Sequence, residues 1–96
     1  MNKGRWVYIL GNNNHTVYIG VTNNLIKRVF DHKKWRVPGF TRKYKLHKLL
    51  YYEDYPSIEE AIAREKQLKN WKRQWKLDLI KGMNPGFKDL FGEIIR

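Results

Sequence analysis

Two apolar runs open the chain, Trp6-Val7-Tyr8-Ile9-Leu10 and Val17-Tyr18-Ile19-Gly20-Val21, separated by a polar break. Their aromatic and β-branched residues predict strands over 5–11 and 16–21. The break, Asn12-Asn13-Asn14-His15, predicts a hairpin turn, because Asn tolerates left-handed backbone angles. A hairpin symmetric about Asn13 sets Tyr8 directly opposite Tyr18. Alternation along the strands then puts both rings on one face, with Val7, Ile9, Val17 and Ile19 on the other.

The spacing next changes to a helical one. Leu25, Ile26, Val29 and Phe30 form an apolar stripe, with Thr22 or Asn23 as its cap and Arg28 and His32 one turn apart on its flank. Trp35 to Gly39 breaks that helix, and Phe40 to Lys45 reads as a basic, aromatic-bearing connection. A third strand is predicted over Leu46–Glu53, followed by a turn at Tyr55-Pro56-Ser57. Ser57 and Glu60 form a capping box for a second helix with apolar positions Ile58, Ala61, Ile62 and Leu68. A further helix is predicted from about Lys72 to Lys81, stopped by Gly82. After the turn at Asn84-Pro85-Gly86, residues Phe87, Leu90, Phe91, Ile94 and Ile95 supply a short last helix. The expected fold is α+β, in the order ββαβαα. A small, mainly antiparallel three-stranded sheet is flanked by helices, and one domain covers 1–96.

Composition adds a partner. The 96 residues carry 20 Lys and Arg against 9 Asp and Glu, a formal charge of +11. Such an excess favours an anionic polymer, and the 15% aromatic content favours nucleic acid, whose bases stack on rings. The chain has no cysteine. That removes disulfides, zinc–cysteine sites and thiol nucleophiles, and fits a reducing compartment. The start, Met1 to Arg5, lacks the pattern of a signal peptide, and no apolar stretch has the ~18 residues of a membrane span. A soluble, cytoplasmic protein is expected, without a membrane partner.

Several side chains stand out as candidate chemistry. Glu65 lies in register with Ala61, Ile62 and Leu68, inside the apolar stripe. A carboxylate there is costly unless paired or metal-bound, so it is either a buried ion pair or a metal ligand. Arg28 is a surface cation or a stabiliser of phosphoryl charge. His32 is a partly buried histidine or a proton relay. Tyr8 and Tyr18 are core rings or two hydroxyls at one place; a phenol ionises near pH 10, so serving as a base requires nearby cations or a metal. Lys69, Trp71, Lys72, Arg73, Trp75 and Lys76 read as a helix with its tryptophans packed inward and its cations toward nucleic acid. Walker-type loops, histidine metal spacings and a serine triad are not seen.

In order along the chain, these residues resemble the GIY-YIG nuclease superfamily. The first motif tyrosine matches Tyr8 in Val7-Tyr8-Ile9, and the second motif is intact as Tyr18-Ile19-Gly20. The family arginine matches Arg28, the histidine of some members matches His32, and the metal-binding glutamate matches Glu65 in Ala63-Arg64-Glu65-Lys66-Gln67. The resemblance spans about residues 5–85 and is closest to the small stand-alone branch, similar to the UvrC N-terminal endonuclease domain. Trp6-Val7 stands where the family name has Gly-Ile, and Val21 where some members have lysine. A late family asparagine matches Asn84 or Asn70.

The resemblance implies a metal-dependent endonuclease that hydrolyses phosphodiester bonds in DNA, with or without selectivity for DNA structure. Glu65 would hold one divalent ion, Mg²⁺ or Mn²⁺, and Arg28 would neutralise charge at phosphorus. Tyr8 would be the general base, with Tyr18 and His32 assisting. Gly20 would leave room for the phosphate backbone, and Lys27, Lys69, Arg73 and Asn84 would contact substrate. The alternative is a catalytically weak nucleic-acid-binding module using the same basic surface. The two readings part at Glu65, which a nuclease needs and a binder does not. A basic protein that pairs with an acidic partner is the third reading.

Overall fold

The computed structural model describes residues 4–96, so Met1 to Lys3, where the reading of the N-terminus begins, lie outside the described residues. Strands β1 (Arg5–Gly11), β2 (Val17–Thr22) and β3 (Lys48–Tyr55) form one antiparallel sheet in the order β2-β1-β3. The helices are α1 (Leu25–Lys33), α2 (Phe40–Lys43), α3 (Ile58–Lys69), α4 (Arg73–Met83) and α5 (Phe91–Ile94). This is the expected α+β class. One turn of helix, α2, was not foreseen; it lies inside the expected basic connection.

β1 is central and buried on both sides, which explains why its sequence is an unbroken apolar run rather than an alternation. One face carries Trp6, Tyr8 and Leu10, packed on Leu25 and Val29 of α1, with Leu46, Leu49, Leu90 and Ile94 around them. The opposite face carries Val7, Ile9, Ile19, Leu50 and Tyr51, covered by Ala61 and Leu68 of α3 and Leu77 and Ile80 of α4. Burial of each large aliphatic side chain contributes roughly 1.5–3 kcal/mol, so both faces hold the fold.

The hairpin register corrects the expectation. Tyr8 pairs with Gly20 and Leu10 with Tyr18, so the hairpin is centred on Asn14 and the two tyrosines are diagonal neighbours. They keep a common face because the register differs by an even number of residues. Asn12 sets this turn: its Oδ1 accepts from the backbone N–H groups of Asn14 and Thr16, and His15 takes the left-handed conformation. Against β3 the ladder slips between Ile9 and Leu10, leaving Leu50 as an extra residue. Leu50 and Tyr51 therefore face the same core, although they are adjacent in sequence.

Other boundaries moved for local reasons. Asn24, not Thr22 or Asn23, caps α1, its side chain accepting from the Lys27 N–H. β3 starts two residues later than expected and runs through Tyr55, with Ser57 capping α3 as anticipated. Gly82 does not stop α4, which continues to Met83. Trp75 and Ile62 point to solvent, whereas Trp71 packs partly against the core. Glu53 anchors α3 to β3: it accepts from Tyr55 at 2.6 Å, from Tyr51, and from Arg64 Nε and Nη2 at 3.0 Å each.

Candidate active site

Tyr8 from β1, Tyr18 from β2 and His32 from α1 meet on the face covered by α1. Their ring centroids are 6.3 Å apart for the two tyrosines, 6.0 Å for Tyr8 and His32, and 5.9 Å for Tyr18 and His32. The Tyr8 hydroxyl lies 3.3 Å from His32 Nε2, and His32 Nδ1 lies 3.1 Å from Thr41 Oγ1. In the tautomer with its proton on Nδ1, that nitrogen donates to Thr41 and Nε2 accepts from the phenol; both partners are hydroxyls, which take either role. Thr41 was not singled out from sequence. A threonine in a basic connection carries no pattern, and only the α2 turn brings it under the imidazole.

Tyr8 is 2% exposed and His32 3%, while Tyr18 is half-buried and Arg28 exposed. Burial raises the Tyr8 pKa well above its ordinary value; Tyr18 and Glu65 add to this and Arg28 opposes it. Burial pushes His32 down to about 4, Arg28 adding to the effect and Asp31 opposing it. The charges of Arg28 on α1 and Glu65 on α3 therefore both reach the tyrosine cluster, from opposite layers of the fold.

The His32 shift has a consequence for stability. The folded chain prefers the neutral ring, so the unfolded chain takes up the proton first as pH falls. The contribution is present above pH 6.5 and is lost progressively down to about 4. Urea midpoints should show about 2 kcal/mol lost between about pH 7 and 5, a loss that His32→Gln abolishes.

Glu65 is only partly buried: 18% of its side chain remains exposed, with Lys69 Nζ 3.1 Å away. It is thus less costly than its place in the sequence suggested, and it is ion-paired with a surface lysine rather than deeply enclosed. Among the described residues no three His, Cys, Asp or Glu side chains cluster as metal ligands. A closed protein cage therefore does not fit the donor set. A single carboxylate that can release a flexible lysine does fit Mg²⁺, which keeps waters and takes few protein ligands.

The remaining site expectations fare differently. Gly20 makes room for Tyr8: a Cβ there would lie 2.5 Å from both Cζ and the hydroxyl oxygen of that ring. Gly20→Ala should cost roughly 1–3 kcal/mol in a denaturant titration by overpacking this contact. Asn84 is buried and spent on the fold, donating to the carbonyls of Leu50 and Lys88 and accepting from the Lys88 N–H. Asn70 is the C-cap of α3 and exposed. Arg73 donates to the carbonyls of Asn14 and His15 and so clamps the hairpin tip. Lys27 is paired with Asp31 at 2.9 Å, in a small cleft of about 110 Å³ shared with Arg28.

Comparison with known proteins gives this arrangement a family. The GIY-YIG catalytic domain matches residues 5–78. The chain belongs to the GIY-YIG family. GIY-YIG domains form a nuclease superfamily, and Tyr8, Tyr18, Arg28, His32 and Glu65 all fall inside the matched span, as does Asn70; Asn84 falls outside it. UPF0213 protein CPE1444 of Clostridium perfringens is 39% identical over 75 residues, covering 78% of this chain and 81% of that protein. A UPF0213 protein of Syntrophus aciditrophicus is 36% identical over 81 residues, covering 83% and 92%. The solution structure of UPF0213 protein BH0048 from Bacillus halodurans superposes with a TM-score of 0.57 at 26% identity, covering 90% of this chain and 92% of that one. These relatives are small, stand-alone GIY-YIG proteins. Among the described residues, no helix is long and apolar enough to cross a membrane.

Proposed function

We propose that this GIY-YIG domain is a divalent-metal-dependent endonuclease acting on DNA phosphodiesters. The observation that carries the reading is the meeting of Tyr8, Tyr18 and His32, with the Tyr8 hydroxyl 3.3 Å from His32 Nε2, in a GIY-YIG domain. A structural core has no need to bring two phenols and an imidazole to one place.

Glu65 would hold the ion, which supplies Lewis-acid stabilisation of the leaving oxygen. Arg28, exposed and planar, binds a phosphate oxygen and offsets the charge that gathers at phosphorus. Tyr18, half-buried, orients the attacking water. Tyr8 takes that water's proton on its hydroxyl oxygen while passing its own to His32 Nε2. This relay needs no free phenolate: the water's proton ends on His32, and the cost moves to charging an imidazole that burial holds near 4. In the tautomer that this relay uses, Thr41 Oγ1 accepts from the Nδ1–H group and Nε2 is left open.

The test is Mg²⁺-dependent cleavage of labelled linear, nicked, flapped, branched and single-stranded DNA, with RNA beside them. Cleavage of at least one DNA that disappears in Glu65→Gln supports the nuclease. Binding without cleavage in either Mg²⁺ or Mn²⁺ establishes the binding module instead.

A further inference from the structure

The cations assigned to substrate from sequence have partners within the chain, yet a different segment carries free charge beside exposed rings. From His32 to Tyr52 the sequence contains no Asp or Glu. Within this stretch Arg42, Lys43 and Lys45 are exposed, and so are Trp35, Phe40 and Tyr44, at 39%, 46% and 43%. Rings of this size exposed together on a small domain call for a partner. The acid-free stretch makes that partner an anion with apolar faces.

The shape of the segment fits such a partner. Phe40 and Tyr44, one turn apart on α2, lie 4.7 Å between centroids, and Lys43 sits over the Tyr44 ring. Trp35 and Lys45 both hold left-handed backbone, uncommon for side chains of their size. Lys45 lies between two open clefts. One has Trp35 and Arg42 as its other walls, and the second runs past Tyr44 to Asn12 and Lys48. Flat rings flanked by phosphate-binding cations and amide groups are the equipment for unpaired bases, which every ring can stack regardless of sequence. A paired duplex hides its base faces and could use only the charges.

We propose that the α1–β3 connection is a single-strand platform, stacking unpaired bases on Trp35 and Tyr44 while Arg42 and Lys45 hold the backbone. This rests on the nucleic-acid reading above and deepens it by naming the substrate class, a strand with unpaired nucleotides next to the scissile bond. α2 ties the platform to the site, since Thr41 faces His32 from the same turn whose other side presents Phe40 and Tyr44.

The experiment measures fluorescence anisotropy of labelled single-stranded DNA, single-stranded RNA and blunt duplex DNA, without divalent ions. It compares the full chain with Trp35→Ala, Tyr44→Ala and Tyr44→Phe. Each alanine variant should lose about tenfold in single-strand affinity, the size of a lost base–ring stack, while duplex affinity changes less than about twofold. Tyr44→Phe should bind as the parent does. Because these residues are exposed, thermal unfolding should be unchanged, and equal stability keeps a negative result meaningful. Equal losses on duplex and single strand, or no loss, would overturn the platform. Loss on RNA alone would make RNA, not DNA, the strand that it takes. The result is independent of cleavage: binding losses in a chain that cleaves nothing keep the platform and remove the nuclease, and the reverse pattern does the opposite.

Discussion

Glu65→Gln should abolish cleavage, by about a thousandfold or more, while leaving nucleic-acid binding intact or slightly stronger. A Lewis acid is worth several kcal/mol at the transition state, and each 1.36 kcal/mol is a factor of about ten in rate. The amide keeps the size of the carboxylate and removes the charge that would hold the ion. It also frees Lys69, now paired at 3.1 Å, so the surface gains positive charge toward phosphate. The fold should barely notice, because an i,i+4 pair with an exposed lysine contributes only about 0.3–0.5 kcal/mol. Initial rates in Mg²⁺ with binding measured in Ca²⁺ separate the effects. Unchanged cleavage would remove Glu65 from the chemistry and leave its pairing with Lys69 as its whole role.

Tyr8→Phe should lower the cleavage rate by about 10²- to 10⁴-fold, the range of a lost general acid–base group. The substitution also leaves the buried His32 Nε2 without its donor, costing about 1 kcal/mol of stability. The mechanism predicts a particular pH profile for the parent protein. A relay between neutral Tyr8 and neutral His32 gives a rate nearly flat from about pH 6 to 9, falling only as His32 takes a proton near 4. A rate rising tenfold per pH unit over that range would instead mean that free phenolate is the base. Burial makes that state scarce, since the phenol is held above its ordinary value.

Much of this molecule is written locally. Trp6-Val7-Tyr8-Ile9-Leu10 and Val17-Tyr18-Ile19 are strands because β-branched and aromatic residues fit a pleated, buried surface. The Ser57–Glu60 box opens α3 where expected, because a cap is a contact within one turn. The common face of Tyr8 and Tyr18 follows from alternation alone. The order of tyrosines, arginine, histidine and glutamate was sufficient for the family.

What needed the tertiary structure was every relation between distant segments. The hairpin centre moved to Asn14 because the Asn12 side chain accepts from both Asn14 and Thr16. The slip at Leu50 lets two neighbouring residues enter one core, which no alternation rule anticipates. Gly82 is helical because the turns before it pack Leu77 and Ile80 on the sheet, and this burial outweighs the ~1 kcal/mol a glycine costs. The occupant of the space above Gly20, the partner of Arg73 and the place of Thr41 under His32 were equally invisible. Sequence periodicity reports which face of an element is apolar, because that depends on neighbours one or two turns away. It does not report which side chain from another element arrives there, and this site is made of such arrivals.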